Sequence, residues 1–280
     1  MNGGIELELT WLECLIYGLL SGLAELLPIS SIAHQSLLLK LMGKHDDPYF
    51  RIAAMLGVLI ALLIACYPAF FRMRRERLIA STPKGKRHRQ PDFNILMERR
   101  VFRTAAITMM ICYLLYGLVL SWRNRLWIVA LMLFLNGFIN FIPQRLPSAN
   151  KTAQSLSGLD GVLIGLLGGA GVFPGISRIG GLLSMAQMRG TETKYGLELA
   201  MLCSIPGLVL LAILSVLTTS ATMVLTGAAI LCYLLTALAS FAGAWLGIVL
   251  MRYLSVKMGY GAFAYYSWGA ALFALFIYLI

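Results

Sequence analysis

Two short polar motifs sit in the middle of long apolar runs, and they restrict the fold more tightly than anything else in this chain. One is Glu25-Leu26-Leu27-Pro28-Ile29-Ser30-Ser31, followed three residues later by His34; the other is Pro174-Gly175-Ile176-Ser177-Arg178-Ile179-Gly180. Backbone in hydrocarbon must satisfy its own N–H and C=O groups, so proline beside ionisable groups and hydroxyls is tolerated there only where protein encloses a polar cavity. Each motif therefore predicts a helix broken at a cavity.

The surroundings of the motifs fix the class. Of 280 residues 59% are hydrophobic and 12% charged, and mean hydropathy is +0.81, whereas a soluble domain carries about a quarter charged residues. The chain reads as an all-α polytopic membrane protein, one integral domain over 1–280, and a soluble role is excluded. Met1 to Thr10 carries Glu6 and Glu8 where a secretory signal would be basic, so no cleaved leader is read. Cys14, Cys66, Cys112, Cys203 and Cys232 lie inside apolar runs without a close-spaced pair and read as packing residues.

The net charge of +11 is concentrated in one stretch. Arg72 to Arg103 holds eleven of the 23 Lys and Arg against Glu76, Asp92 and Glu98, a net +8. Its basic residues are not interleaved with aromatics, which disfavours nucleic acid, and the positive-inside rule makes 72–103 a cytoplasmic loop. Spans of about 20 residues then follow at Ile52–Phe71, Thr104–Leu120, Trp127–Ile142, Tyr195–Leu217, Met223–Met251 and Ala262–Ile280. The third ends at Gln144-Arg145-Leu146-Pro147 and the fifth at Arg252 and Lys257, all inside, while Trp122-Arg123-Asn124-Arg125 is an outside turn against the rule.

The segments Trp11–Met42 and Leu159–Met188 do not fit as simple spans and read as re-entrant helix-loop-helix hairpins. The first dips from outside and the second from inside. Six transmembrane helices plus two hairpins make two units, about 9–142 and 158–280, and because each holds three spans the second is inverted relative to the first. Both termini are then outside.

Geometry on this plan suggests an anion site. The second half-helix of each hairpin starts near Ile32 and Ile179, turning its free N–H groups and positive dipole end toward the cavity. With the fork of Arg178 and the hydroxyls of Ser30, Ser31 and Ser177, the expected anion is phosphate or pyrophosphate. His34 is i+4 from Ser30 and i+3 from Ser31, so a Ser–His pair is one route to a nucleophile and its base. Glu25 is the other candidate base, and with phosphate oxygens it is also a ligand for a divalent cation, Mg²⁺ or Ca²⁺. Asp160 and Glu198 lie near span ends and read as caps or interfacial residues, and His45 and His88 as solvated loop residues.

At these motifs the chain resembles the undecaprenyl-pyrophosphate phosphatase family (UppP/BacA). Gly22 to His34 is similar to the family's glutamate-rich motif ending in Pro-Val-Ser-Ser-Thr-Gly-His, and Pro174 to Gly180 to its Pro-Gly-Ser-Arg-Ser-Gly signature; Gly57 and Pro206 also fit its spacing. The resemblance implies hydrolysis of the C55 lipid pyrophosphate to the monophosphate carrier of cell-wall synthesis, in a bacterial inner membrane, from a cavity open to the outer face. It puts Glu25, Ser30, Ser31, His34 and Arg178 on catalytic positions, Ser30, Ser31, Ser177, Arg178 and Gly180 on the phosphate, and Glu25 on the metal. The partners implied are the polyprenyl (C55) pyrophosphate or phosphate and the bilayer, with no nucleic acid; a homodimer is allowed. The departures are Ser21 for a second acid, Ile32, Ala33 and Ile179 for Thr, Gly and Ser, and Met55 and Gly168 for two Gln. They thin the metal and proton-transfer apparatus while leaving the anion clamp. The alternative is a non-hydrolytic carrier of polyprenyl phosphate using the same cavity.

Overall fold

The computed structural model describes residues 9–146, 151, 155–219, 226–257 and 259–280. Expectations placed on Glu6, Glu8, Pro147 and Met223 lie outside the described residues, as does the side chain of Lys257.

Eleven α-helices follow in chain order among these residues: α1 Trp11–Leu26, α2 Ser31–Leu41, α3 Pro48–Ser81, α4 Phe93–Tyr113, α5 Tyr116–Val119, α6 Leu126–Phe141, α7 Gly158–Gly169, α8 Arg178–Met188, α9 Thr193–Thr218, α10 Gly227–Lys257 and α11 Ala262–Leu279. Five of them are long and apolar enough to cross a membrane, or six if α4 and the segment Tyr116–Asn124, bent by 50° against it, make one span. The chain is therefore an all-helical, multi-pass membrane protein.

The two segments expected as hairpins are helices broken at the motifs, α1 with α2 and α7 with α8. Each opens on a capping box that satisfies the first orphan N–H groups: Thr10 with Glu13 on α1, Ser157 with Asp160 on α7. Each second half-helix has 11 residues and a serine cap, Ser30 or Ser177. Each then ends near a glycine in the left-handed region, Gly43 (φ +67°) or Gly190 (φ +92°), which stops it within one turn. The first half-helices pack by close backbone approach. A Cβ on Gly22 of α1 would lie 2.0 Å from the Ser240 carbonyl oxygen of α10, and one on Gly165 of α7 would lie 2.3 Å from that of Ala105 of α4. Small residues are what permit such crossings in lipid.

The hairpin mouths face opposite ends of the bundle. Near the mouth of the first, Lys44 approaches Glu13 at 3.9 Å and Asp46 pairs with Arg51 and Arg123. At the mouth of the second, Asp160 pairs with Arg189, and the space beside Gly158 is filled by Arg100 of the basic segment.

That segment differs from a 72–103 loop. Helix α3 continues to Ser81 and α4 starts at Phe93, leaving 82–92 as the connection, itself with a short 3₁₀ turn at Lys84–Lys86. At 1.5 Å per residue the 34-residue α3 is about 51 Å long and outruns a hydrocarbon layer of about 30 Å. Arg, Glu and Leu are good helix formers, so nothing ends it before Ser81-Thr82-Pro83. Glu76 then accepts from Arg89 and from the Asp92 N–H, and Glu98 pairs with Arg72, tying both extensions together.

Candidate active site where two broken helices cross

The tips of the hairpins are bonded to each other. The Pro28 carbonyl, freed by the break, accepts from the side-chain amides of Asn136 (2.9 Å) and Asn140 (2.7 Å) on α6. Asn136 also accepts from the Ser177 N–H at 2.9 Å and donates to Ser267 on α11 at 3.0 Å. Ser177 Oγ donates to the Leu27 carbonyl at 3.1 Å while accepting from the Gly180 N–H, and Ser30 Oγ accepts from the Gly175 N–H at 3.2 Å. Polar groups exposed by each break are thus satisfied largely by the other hairpin and by α6.

This stitching sustains unusual backbone. Ser30 has φ +71°, costly for a residue with a Cβ and of the kind that surrounding structure must impose at a functional site. Gly175 has φ +127°, and a Cβ there would lie 2.4 Å from that of Met132. Asn136→Leu would leave the Ser177 N–H without its acceptor and strip one donor from Pro28. We expect it to lower stability by about 1–3 kcal/mol. Thermal unfolding in detergent checks this; an unchanged midpoint would show that the stitching is not what holds the tips.

With Ser30 and Ser177 serving as caps, the first residue of each second half-helix faces the centre. Ser31 Oγ donates a short hydrogen bond to Glu25 Oε2. Arg178 donates to Glu25 Oε1 from Nε at 3.0 Å and from Nη2. The side chains of Arg178 and Glu25 are 4% and 14% exposed. The remaining guanidinium nitrogen, Nη1, is buried without a partner, and the guanidinium carbon lies 5.8 Å from the Tyr113 ring centre. The void among Glu25, Ser30, Ser31, Gly171, Ser177 and Arg178 holds about 10 Å³, room for one water.

His34 lies elsewhere. Its Nδ1 donates to the Ser30 carbonyl at 2.7 Å, and that tautomer leaves Nε2 to accept from the Tyr266 hydroxyl at 2.8 Å. Both ring nitrogens are engaged, so the Ser–His pairing expected from spacing is replaced by Ser31 with Glu25. The imidazole instead stacks on Tyr266, with ring centres 5.7 Å apart, and helps to line an apolar groove of about 420 Å³ with Leu20, Leu37, Ala270 and Phe273.

Other expected residues find plainer places. The Gly180 N–H, assigned above to phosphate, is given to Ser177 Oγ, and a Cβ on Gly180 would lie 2.9 Å from Asn140 Oδ1. Ser21 is buried and donates to the Tyr17 carbonyl at 2.6 Å. Gly57 allows α3 to approach α10, where its Cβ would be 2.2 Å from the Ala237 carbonyl oxygen. Asp160 serves the α7 cap, and Glu198 pairs with Arg252 at 2.9 Å. The five cysteines are free, four of them buried.

Glu25 is the single carboxylate at the centre, and Arg178 and Ser31 already use both its oxygens; among the described residues no three His, Cys, Asp or Glu side chains are grouped as a metal site. A cation held here would rest on Glu25 with phosphate oxygens and water, the arrangement usual for Mg²⁺.

The family model for bacitracin resistance protein BacA matches residues 14–273. Undecaprenyl-diphosphatase of Micrococcus luteus is 32% identical over 198 residues, 69% of this chain and 70% of the relative. Undecaprenyl-diphosphatase 3 of Frankia casuarinae is 27% identical over 279 residues, 95% of this chain and 96% of the relative. A match that begins in α1, ends in α11 and contains both broken helices and every residue of their crossing makes this chain a member of the BacA family.

Proposed function

We propose that this chain hydrolyses undecaprenyl pyrophosphate to the monophosphate and inorganic phosphate. The observation that carries the reading is the Ser31–Glu25–Arg178 constellation at the crossing of the two broken helices, in a member of a family whose relatives are named for this reaction. With substrate bound, Arg178 leaves Glu25 for the terminal phosphate, joined by N–H groups at the starts of α2 and α8. Ser31 Oγ attacks the terminal phosphorus as its proton passes to Glu25 Oε2. The bond to the bridging oxygen breaks, and the lipid monophosphate departs with that electron pair and with the proton from Glu25, which is a carboxylate again. Water, deprotonated by Glu25, then attacks the phosphoserine; phosphate leaves and Ser31 Oγ recovers a proton from Glu25. No step is routed through a metal.

The groove beside His34 and Tyr266 suits the first isoprene units, being apolar and bounded by α2 and α11. Separation of products tests the reading: the C55 monophosphate must appear in step with free phosphate. A carrier would leave the diphosphate intact, and recovery of undegraded lipid after prolonged incubation would overturn hydrolysis.

We also infer an inverted repeat in the bacterial inner membrane, with the 82–92 connection inside, the first hairpin opening outward and the termini outside. The paired capping boxes, serine caps, terminal glycines and opposite hairpin mouths support it, as do the prolines Pro68 and Pro206 inside α3 and α9. A cysteine at Gly85 should react with an impermeant thiol reagent only after the cell is opened, whereas one at Lys44 should react in spheroplasts. Labelling of both from one side would sink the inverted arrangement.

A further inference from the structure

Four residues from the Ser31–Glu25 pair along α2, Gln35 begins a second polar system that the proposed chemistry does not use. Gln35 borders the small void beside Glu25 and Ser31 and, on its other side, accepts from Arg123 Nη2 at 3.3 Å. Arg123 Nε lies 3.0 Å from Asp46, and Arg51 Nε lies 3.3 Å from the same carboxylate. Arg51 also donates to the Tyr116 hydroxyl at 3.0 Å, which bonds Ser215 at 3.0 Å. Both arginine side chains are 5% exposed, and the fully buried Tyr17 hydroxyl, electrostatically coupled to all three charges, has no partner.

Two buried guanidinium groups thus share one carboxylate. Desolvating a charge without full compensation is expensive, so the cluster gains from a further anion. Beside it opens a cavity of about 350 Å³ whose wall includes Ser36, Lys40, Lys44, His45, Arg123 and Asn124. The Asp46 carboxylate also lines it, so Lys40, Lys44 and Arg123 leave its wall net cationic, whereas the groove on the other side of α2 is apolar.

We propose that this cavity binds a phosphate oxyanion and is the vestibule through which inorganic phosphate leaves, so that α2 parts the products, the prenyl chain on its His34 side and the phosphate on its Gln35 side. The direction of travel rests on the hydrolytic reading above, but the binding does not, and the two are separable by experiment.

Equilibrium binding of radiolabelled orthophosphate would be measured on the full chain in zwitterionic nanodiscs. The partly exposed pair Lys40→Gln/Lys44→Gln should weaken binding about tenfold, two exposed ionic contacts' worth. The pair Lys84→Gln/Lys86→Gln, an equal change of charge on the 82–92 connection, should leave it unchanged. Equal losses in the two pairs, or none in either, would overturn the site whether or not the chain proves to be an enzyme. During turnover, added phosphate should lower kcat without raising KM, and less so in the Lys40/Lys44 pair; pure competition with the lipid diphosphate would put phosphate in the catalytic centre and overturn the vestibule. Binding that persists in phosphatidylglycerol nanodiscs assigns the site to free phosphate, whereas displacement there assigns it to a lipid headgroup and overturns the exit route.

Discussion

Replacing Ser31 with alanine is expected to cut phosphate release by roughly 10⁴-fold or more while leaving lipid binding within about twofold, the pattern of a lost covalent nucleophile. The hydroxyl is small and buried, and its one side-chain bond is to Glu25, which keeps Arg178 in the variant. Folding should therefore be untouched. Ser30→Ala makes the informative neighbour: its Oγ caps α2 and accepts from Gly175, so its loss should show in the unfolding midpoint. A Ser31→Ala protein that still turns over at the parent rate, beside an inactive Ser30→Ala protein, would move the nucleophile one residue back.

Arg178→Ala is expected to abolish turnover and to destabilise the protein. A buried Glu25 would be left without its cation, a loss of about 3–5 kcal/mol, and the phosphate would lose its bidentate donor, about 10²–10³-fold or more in rate. Two companions separate these effects. Arg178→Lys keeps the charge but not the fork, and should fold while losing most of the rate. The double variant Glu25→Gln/Arg178→Gln replaces the ion pair by amides of similar size and should recover stability without activity. Were Arg178→Lys to retain full kcat, the guanidinium would be a structural partner of Glu25 and not the phosphate clamp.

How far these features were legible in the sequence depended on whether their causes were local. The half-helices α2 and α8 were expected near Ile32 and Ile179 and begin one residue earlier, because Ser30 and Ser177 are the caps and so leave Ser31 and Arg178 as first helical residues. The limits of α6 and α9 followed apolar length to within two residues. The basic segment misled because charge does not end a helix: α3 runs on to Ser81 and α4 begins at Phe93, so both hold part of the basic run.

Partnerships were the illegible part. Glu25, Ser31 and Arg178 were all selected, yet spacing along α2 pointed Ser31 to His34. The true partner of Ser31 lies across the break, and that of Arg178 lies 153 residues away. Asn136 and Asn140 were overlooked although an i,i+4 pair of amides inside an apolar span is itself a signal of buried hydrogen bonding. Arg123, which the charge count set outside against the positive-inside rule, is held for a reason no count of charges contains: it is turned inward onto Asp46 and Gln35.

We propose this crossing of broken helices as the hydrolytic centre. Its most direct test is the initial rate of phosphate release from C55 pyrophosphate by purified protein in detergent, parent and Ser31→Ala side by side at matched folded concentration. Steady release is expected from the parent and only background release from the variant. No release by a folded parent that binds the lipid, or equal release by both proteins, would contradict it.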